Sequence, residues 1–112
     1  MKEIARILIQ ICGIDRYNEG KRISRKERLK IFIVEEPELE IMGEYTNRRG
    51  EYYFYISSDG FFCSCPDNII RNSILCKHLI AGILRAIYEG YSKKVYLLLK
   101  KLILSGRLWR EK

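Results

Sequence analysis

Apolar positions along the chain change rhythm several times, and each change marks an element. Ile4, Ile7, Leu8 and Ile11 follow the i, i+3, i+4, i+7 spacing of one helical face, with Ala5 and Cys12 flanking the stripe. Lys2, Glu3, Arg6 and Gln10 take the opposite side, and Gly13 supplies a stop. Residues 15–28 are polar and strongly basic with Gly20 inside, and they read as a loop or a short element. Leu29–Val34 is β-branched and aromatic, which predicts a strand closed by Glu35-Glu36-Pro37. Residues 40–46 and 51–57 predict two more strands, joined by Asn47-Arg48-Arg49-Gly50, a favourable hairpin connection. In the second of them Tyr53 and Tyr55 face one way, and Tyr52, Phe54 and Ile56 the other. Ser58-Asp59-Gly60 turns the chain into residues 61–65, and Pro66 ends the ladder because it has no N–H to donate.

After a polar connection the helical spacing returns over residues 75–88. Leu79, Ile80, Ile83, Leu84 and Ile87 share one face there, and Gly90 ends the run. Ser92 is placed to cap a further helix through Leu104, with Val95, Leu98, Leu99, Leu102 and Ile103 as its stripe. Ser105-Gly106 stops it, so residues 91–105 form the C-terminal helix. The pattern predicts one α+β domain over residues 1–112: an antiparallel β-meander with an N-terminal helix and two C-terminal helices. No internal repeat, low-complexity segment or interdomain linker interrupts it.

Length agrees, since 112 residues suit one domain, and 47% hydrophobic residues can supply one core. No window reaches the ~18 uncharged apolar residues of a membrane span, so no membrane is expected as a partner. The first 13 residues carry Glu3 and Arg6 within their apolar pattern, unlike a signal peptide. The expectation is an intracellular protein, of cytoplasm or nucleoid, whose thiols are reduced. Abundant Ile, Lys, Arg and Glu, with Gln10 the single glutamine, lean toward a thermophilic, archaeal source.

Reduced thiols turn attention to metal. Cys63-x-Cys65 is followed by ten residues and then Cys76-x-His78. Three of the four cysteines and the only histidine thus fall within 16 residues as two ligand pairs. Three thiolates and an imidazole suit a tetrahedral zinc ion, with bonds of about 2.3 Å to sulfur and about 2.0–2.1 Å to nitrogen. On an extended segment, Cys63 and Cys65 share a face. Two residues turn a helix by about 200°, so Cys76 and His78 can reach one ion only at a helix start. Thiolate is favoured there by the positive end of the helix dipole. Four protein ligands close the coordination shell, which marks one structural Zn2+ and argues against zinc catalysis. The alternative is a buried cysteine cluster with a satisfied histidine. No second histidine or acid–base arrangement stands out for a catalytic cysteine, so an enzyme is not expected.

The run Phe62-Cys63-Ser64-Cys65-Pro66, with Ser73-Ile74-Leu75-Cys76-Lys77-His78-Leu79-Ile80-Ala81, resembles a SWIM zinc finger. That motif is C-x-C, a variable loop, then C-x-H, on a ββα unit preceded by an aromatic-rich hairpin. All four ligand positions match, and the resemblance covers residues 40–88, leaving 1–39 as an N-terminal helix and basic segment. Within the family, the Ser-Ile-Leu-Cys-Lys-His-Leu run is most similar to the SWIM subunit of Shu-type recombination complexes and its archaeal counterparts. The resemblance implies a partner, a RecA-fold recombinase paralogue, and a role in homologous recombination and repair. SWIM fingers also occur in chromatin-remodelling proteins, transposases and signalling proteins.

A net charge of +7, falling to +6 once three thiolates hold one dication, adds an anionic target, DNA first. Lys21, Arg22, Arg25, Lys26 and Arg28, with Arg48 and Arg49 at the hairpin tip, are the candidate phosphate contacts. The alternative is a solvated thermophile surface. Tyr52, Tyr53 and Tyr55 can stack on bases, or simply divide into a core face and an exposed face. Leu97 and Leu104 project away from the main stripe at heptad spacing, beside lysines. With Leu108 and Trp109 they form a candidate protein-contact surface, and homo-oligomerisation stays open. Two readings result: an adaptor that meets DNA within an assembly, or a self-sufficient DNA-binding zinc-finger regulator.

Overall fold

Four strands carry the architecture. In the computed structural model, which describes residues 2–70 and 75–108, they are β1 (Leu29–Val34), β2 (Glu40–Asn47), β3 (Gly50–Ser57) and β4 (Gly60–Cys63). They form one antiparallel sheet in the order β1-β2-β3-β4, the predicted meander. Asn47 pairs with Gly50 across a two-residue turn, and the Asn47 side-chain oxygen accepts the Arg49 N–H at 2.8 Å. Alternation then decides the faces. Leu29, Ile41, Tyr45, Phe54, Ile56 and Cys63 are buried on one side, while Tyr53 and Tyr55 are exposed on the other, as the pattern predicts.

Among the described residues there are five helices: α1 (Lys2–Cys12), α2 (Ile14–Ser24), α3 (Pro66–Ile70), α4 (Lys77–Tyr88) and α5 (Ser92–Leu104). The fold is α+β, with α4 laid on the buried face of the sheet and α2 and α5 packed against α4. Helix α4 lies against all four strands and is flanked by α2 and α5. Its residues 78–84, 86 and 87 are buried, not the single face its spacing suggests. An element covered on several sides has no solvent side to mark with polar residues. The Phe54 ring fills a slot between Gly43 of β2 and Gly82 of α4, where a Cβ on either glycine would collide with it.

Two helices correct the sequence reading. Residues 15–28, expected as a loop or a short element, begin instead with the 11-residue helix α2, and the polar stretch after Cys65 begins with the short helix α3. Only Tyr17, Gly20, Ile23 and Ser24 of α2 are buried, so its apolar stripe is thin. Gly20, which reads as a break, is instead the contact point with α4. A Cβ there would stand 2.5 Å from Ile80 Cγ2 and 2.9 Å from the Lys77 carbonyl oxygen. In α3, Pro66 occupies a first helical position, where a missing N–H costs nothing. A smaller correction concerns α5, whose N-cap is Tyr91, so Ser92 lies inside the helix and makes no side-chain cap. No helix among the described residues is long and apolar enough to cross a membrane.

Candidate metal centre

The ligand pairs come together because each sits on a local structure suited to its spacing. Cys63 ends β4 opposite Phe54. The ladder continues one residue further through side chain and backbone: Ser64 N–H donates to the Tyr53 carbonyl at 2.9 Å, and Tyr53 N–H to Ser64 Oγ at 3.0 Å. The extended segment expected to carry both cysteines stops at Cys63: the chain bends at Ser64 and Cys65 to enter α3, yet Cys63 and Cys65 are both buried. On the other side Cys76 is the N-cap of α4, with extended φ −79° and ψ 170°, and its side chain makes no capping bond. His78 is then the second residue of the helix, as the C-x-H spacing requires.

Sγ of Cys63, Cys65 and Cys76 and a ring nitrogen of His78 all lie within 4.8 Å of one another, and all four residues are buried. A tetrahedral ion with bonds of about 2.3 Å to sulfur would space its ligand atoms by about 3.7 Å. Cys63 Sγ and His78 Nδ1 stand 3.7 Å apart. The four residues could hold a metal ion.

Two features of the chain test that fit. First, His78 Nε2 is buried and has no hydrogen-bond partner among the described residues, so the ring's polar engagement is through Nδ1, toward the thiols. Tyr52 stacks on the imidazole at 4.7 Å and Tyr45 tilts against it at 5.6 Å, fixing its orientation. Second, three thiols this close cannot all ionise without a cation. Cys65 accepts hydrogen bonds from Cys63 and Cys76, which holds its pKa well below the thiol range. The bond that Cys63 gives to Cys65, with burial, pushes Cys63 up to about 12. Hydrogen bonds to Cys63 and then Cys65, with burial, also push Cys76 up. A dication removes the conflict by stabilising all three thiolates together.

No family model, curated protein or solved structure matches the chain.

Several supporting residues give no signal in the sequence. Asn68 of α3, 2% exposed, accepts the Cys63 N–H on Oδ1 at 2.8 Å and so fixes the end of β4. Asp67 beside it receives a two-pronged pair from Arg16 of α2, Nε to Oδ2 at 2.8 Å and Nη2 to Oδ1 at 2.9 Å. These partners are 51 residues apart, and nothing local announces them. Arg85 was legible in part, as the one charged residue between Lys77 and Tyr88. Its guanidinium donates to the carbonyls of Ser24, Lys26 and Leu29 at 2.9, 2.8 and 3.2 Å. The segment joining α2 to β1 is thereby tied to the central helix.

The last turn of α2 and that segment together carry five of the seven candidate phosphate contacts. Arg22, Arg25, Lys26 and Arg28 are exposed and Lys21 half-buried, while Arg48 and Arg49 are exposed at the β2–β3 turn. Leu29 pairs with Tyr45, two residues before Asn47, so both basic groups stand at one end of the sheet. Arg22 is engaged there with Glu19 at 2.9 Å, and its hydrogen bond holds the Glu19 carboxyl below its ordinary range. Tyr45 and Tyr52, a cross-strand pair, rest on His78, which puts the metal centre beneath the same end. Tyr52 is half-buried against this ring, while Tyr53 and Tyr55 face outward.

The candidate protein-contact residues divide. Leu97 and Leu104 are 56% and 82% exposed, as their positions on α5 predict. Leu108 is only 3% exposed and belongs to the core, a correction. Its N–H donates to the Leu102 carbonyl at 3.2 Å, folding the chain after α5 back over that helix. Trp109 lies outside the described residues.

Proposed function

We propose that the protein is a non-enzymatic zinc-binding adaptor that pairs with a RecA-fold recombinase paralogue and assists DNA binding in homologous recombination and repair. The observation that carries this reading is the buried Cys63, Cys65, Cys76, His78 cluster at the start of α4, in the spacing of a SWIM-type finger. Three soft thiolates and one imidazole, closed to further ligands, favour a single structural Zn2+. In this role the ion ties β4 to α4, and chemistry on a substrate is not required of it. Leu97 and Leu104 give the paralogue an apolar contact, and DNA is met within the assembly, inside the cell.

The test is purification from the native source with zinc and bound proteins measured on one sample. The reading expects one zinc per chain and a co-purifying recombinase paralogue. A zinc-free protein, or one recovered clean of any such paralogue, would defeat it.

A second reading, a self-sufficient DNA-binding zinc-finger regulator, is favoured by one observation. Arg25, Lys26 and Arg28 converge with Arg48 and Arg49 at one end of the sheet. That reading requires tight, salt-sensitive DNA binding by the protein alone. Under the adaptor reading, such binding is weak until the partner is added.

A further inference from the structure

At the opposite end of the sheet from the metal centre, the β1–β2 turn and α5 enclose a groove of about 530 Å³. Pro37, Leu39 and Leu98 line it, and Leu97 and Leu104 stand open on the α5 side. One wall is acidic, with Glu35, Glu36 and Glu38 from the turn, and the other basic, with Lys94, Lys100 and Lys101 from α5. Two ion pairs span it: Lys94 to Glu35 at 3.1 Å, and Lys101 to Glu38. Among the described residues Glu36, Lys93 and Lys100 take part in no ion pair. The patch is thus apolar at its centre, carries unpaired charge of both signs at its edge, and is close to neutral.

Near-neutrality decides what can cover it. Each chain carries +7, so two copies repel across most of their surfaces. The outer face of the sheet has its own apolar row, Phe32, Met42, Tyr55 and Phe62 in cross-strand register. There Glu40, Glu44 and Glu51 outnumber Lys30, so that face repels its own copy. The glutamate wall of the groove likewise repels nucleic acid. The α5 patch has the property a two-fold interface needs, since each sign of charge on one copy meets the other sign on its mate.

We infer that a second copy of this chain covers the patch, through antiparallel pairing of α5 with its symmetry mate. Leu97 of each copy packs against Leu104 of the other. The seven-residue spacing permits this because the two leucines lie on one side of a helix about 20 Å long. Lys93 and Lys100 of each copy then approach Glu36 of its mate. This inference concerns the chain alone and goes beyond the adaptor reading. A paralogue that uses the same leucines has to displace the second copy.

Sedimentation equilibrium of the zinc-loaded, full-length chain, without partner or DNA, tests it. A dimer is expected, and its dissociation constant should rise at least about a hundredfold when Leu97 and Leu104 are both changed to Glu. Both leucines are exposed, so the variant should keep its zinc content and melting temperature, and those two measurements guard against misfolding. Glu36→Lys and Lys100→Glu should each weaken the dimer, and the double variant should recover it, as an isologous contact demands. A wild-type chain that stays monomeric at about 200 μM overturns the inference. So does a dimer that survives the leucine changes, or one abolished by Phe32→Glu and Tyr55→Glu instead.

Discussion

The two ends of the sheet are built on different principles. At one end, Tyr45 and Tyr52 hold a histidine over three thiols, and Arg25, Lys26, Arg28, Arg48 and Arg49 stand at the same end. At the other, the turn through Pro37 faces α5 across an open groove that two ion pairs, Lys94 to Glu35 and Lys101 to Glu38, already span. The first end places four polar side-chain atoms inside the protein, where they could hold a metal ion. The second rests on ordinary burial of Leu98, Leu99 and Leu102 and can lose a surface side chain without consequence. Chemistry and structural dependence are concentrated at one end, and open apolar surface at the other.

The largest expected effect follows if zinc occupies the first end as proposed. A structural zinc contributes about 10 kcal/mol or more, against a total margin of about 5–15 kcal/mol for a domain. Chelation, or Cys76→Ser, should therefore unfold most of the protein, and metal content and a thermal melt would show it. Hydrogen exchange at partial chelation should report loss first at Cys63, His78 and their neighbours, and last around Leu98 and Leu102. Uniform loss along the chain would erase the distinction between the ends.

Proton competition comes next in size. With Cys63 pushed up to about 12 and Cys76 also raised, both thiols carry protons at neutral pH before a cation binds. Binding must release those protons, so affinity falls as pH falls. With about two protons released, the loss should be about a hundredfold per pH unit around neutrality. Zinc titrations in two buffers of different ionisation enthalpy count the protons directly. A pH-independent affinity would mean that the thiols are not the ligands.

Smaller changes sharpen the picture. Arg85→Met leaves three carbonyls without their charged donor and should cost about 2–3 kcal/mol in denaturant unfolding. Because Arg85 holds the segment bearing Arg25, Lys26 and Arg28, it should also weaken DNA binding without removing a phosphate contact. Asp67→Asn breaks a partly exposed pair with Arg16 and should cost about 1 kcal/mol. Reversing Arg25, Lys26 and Arg28 should move stability by less than about 0.5 kcal/mol each while flattening the salt dependence of DNA affinity. An unchanged salt slope would separate the basic end from DNA.

Much of the fold was legible in the residues themselves. Strand alternation through Tyr52–Ile56, the Asn47–Gly50 turn and the stripes of α1 and α5 are local patterns with one geometric solution each. So is the pairing of a C-x-C that begins at a strand end with a C-x-H at a helix start, although the bend that carries Cys65 was not foreseen. Helix α2 was not legible because its buried face is Tyr17, Gly20, Ile23 and Ser24, and a glycine carries no apolar signal. Leu108 looked like available surface because nothing in its neighbours reveals that the chain folds back over α5.

By itself, then, the sequence determined the Cys63, Cys65, Cys76, His78 cluster, the meander, the principal helices and the exposure of Leu97 and Leu104. All of these depend on spacing along the chain, which backbone geometry converts directly into direction. Only the tertiary structure decided that two basic segments meet at the metal end, that Arg16 reaches Asp67, and that an acidic turn faces the lysines of α5. Those meetings join residues 20 to more than 60 positions apart, and antiparallel register and helix packing, not local pattern, bring them together.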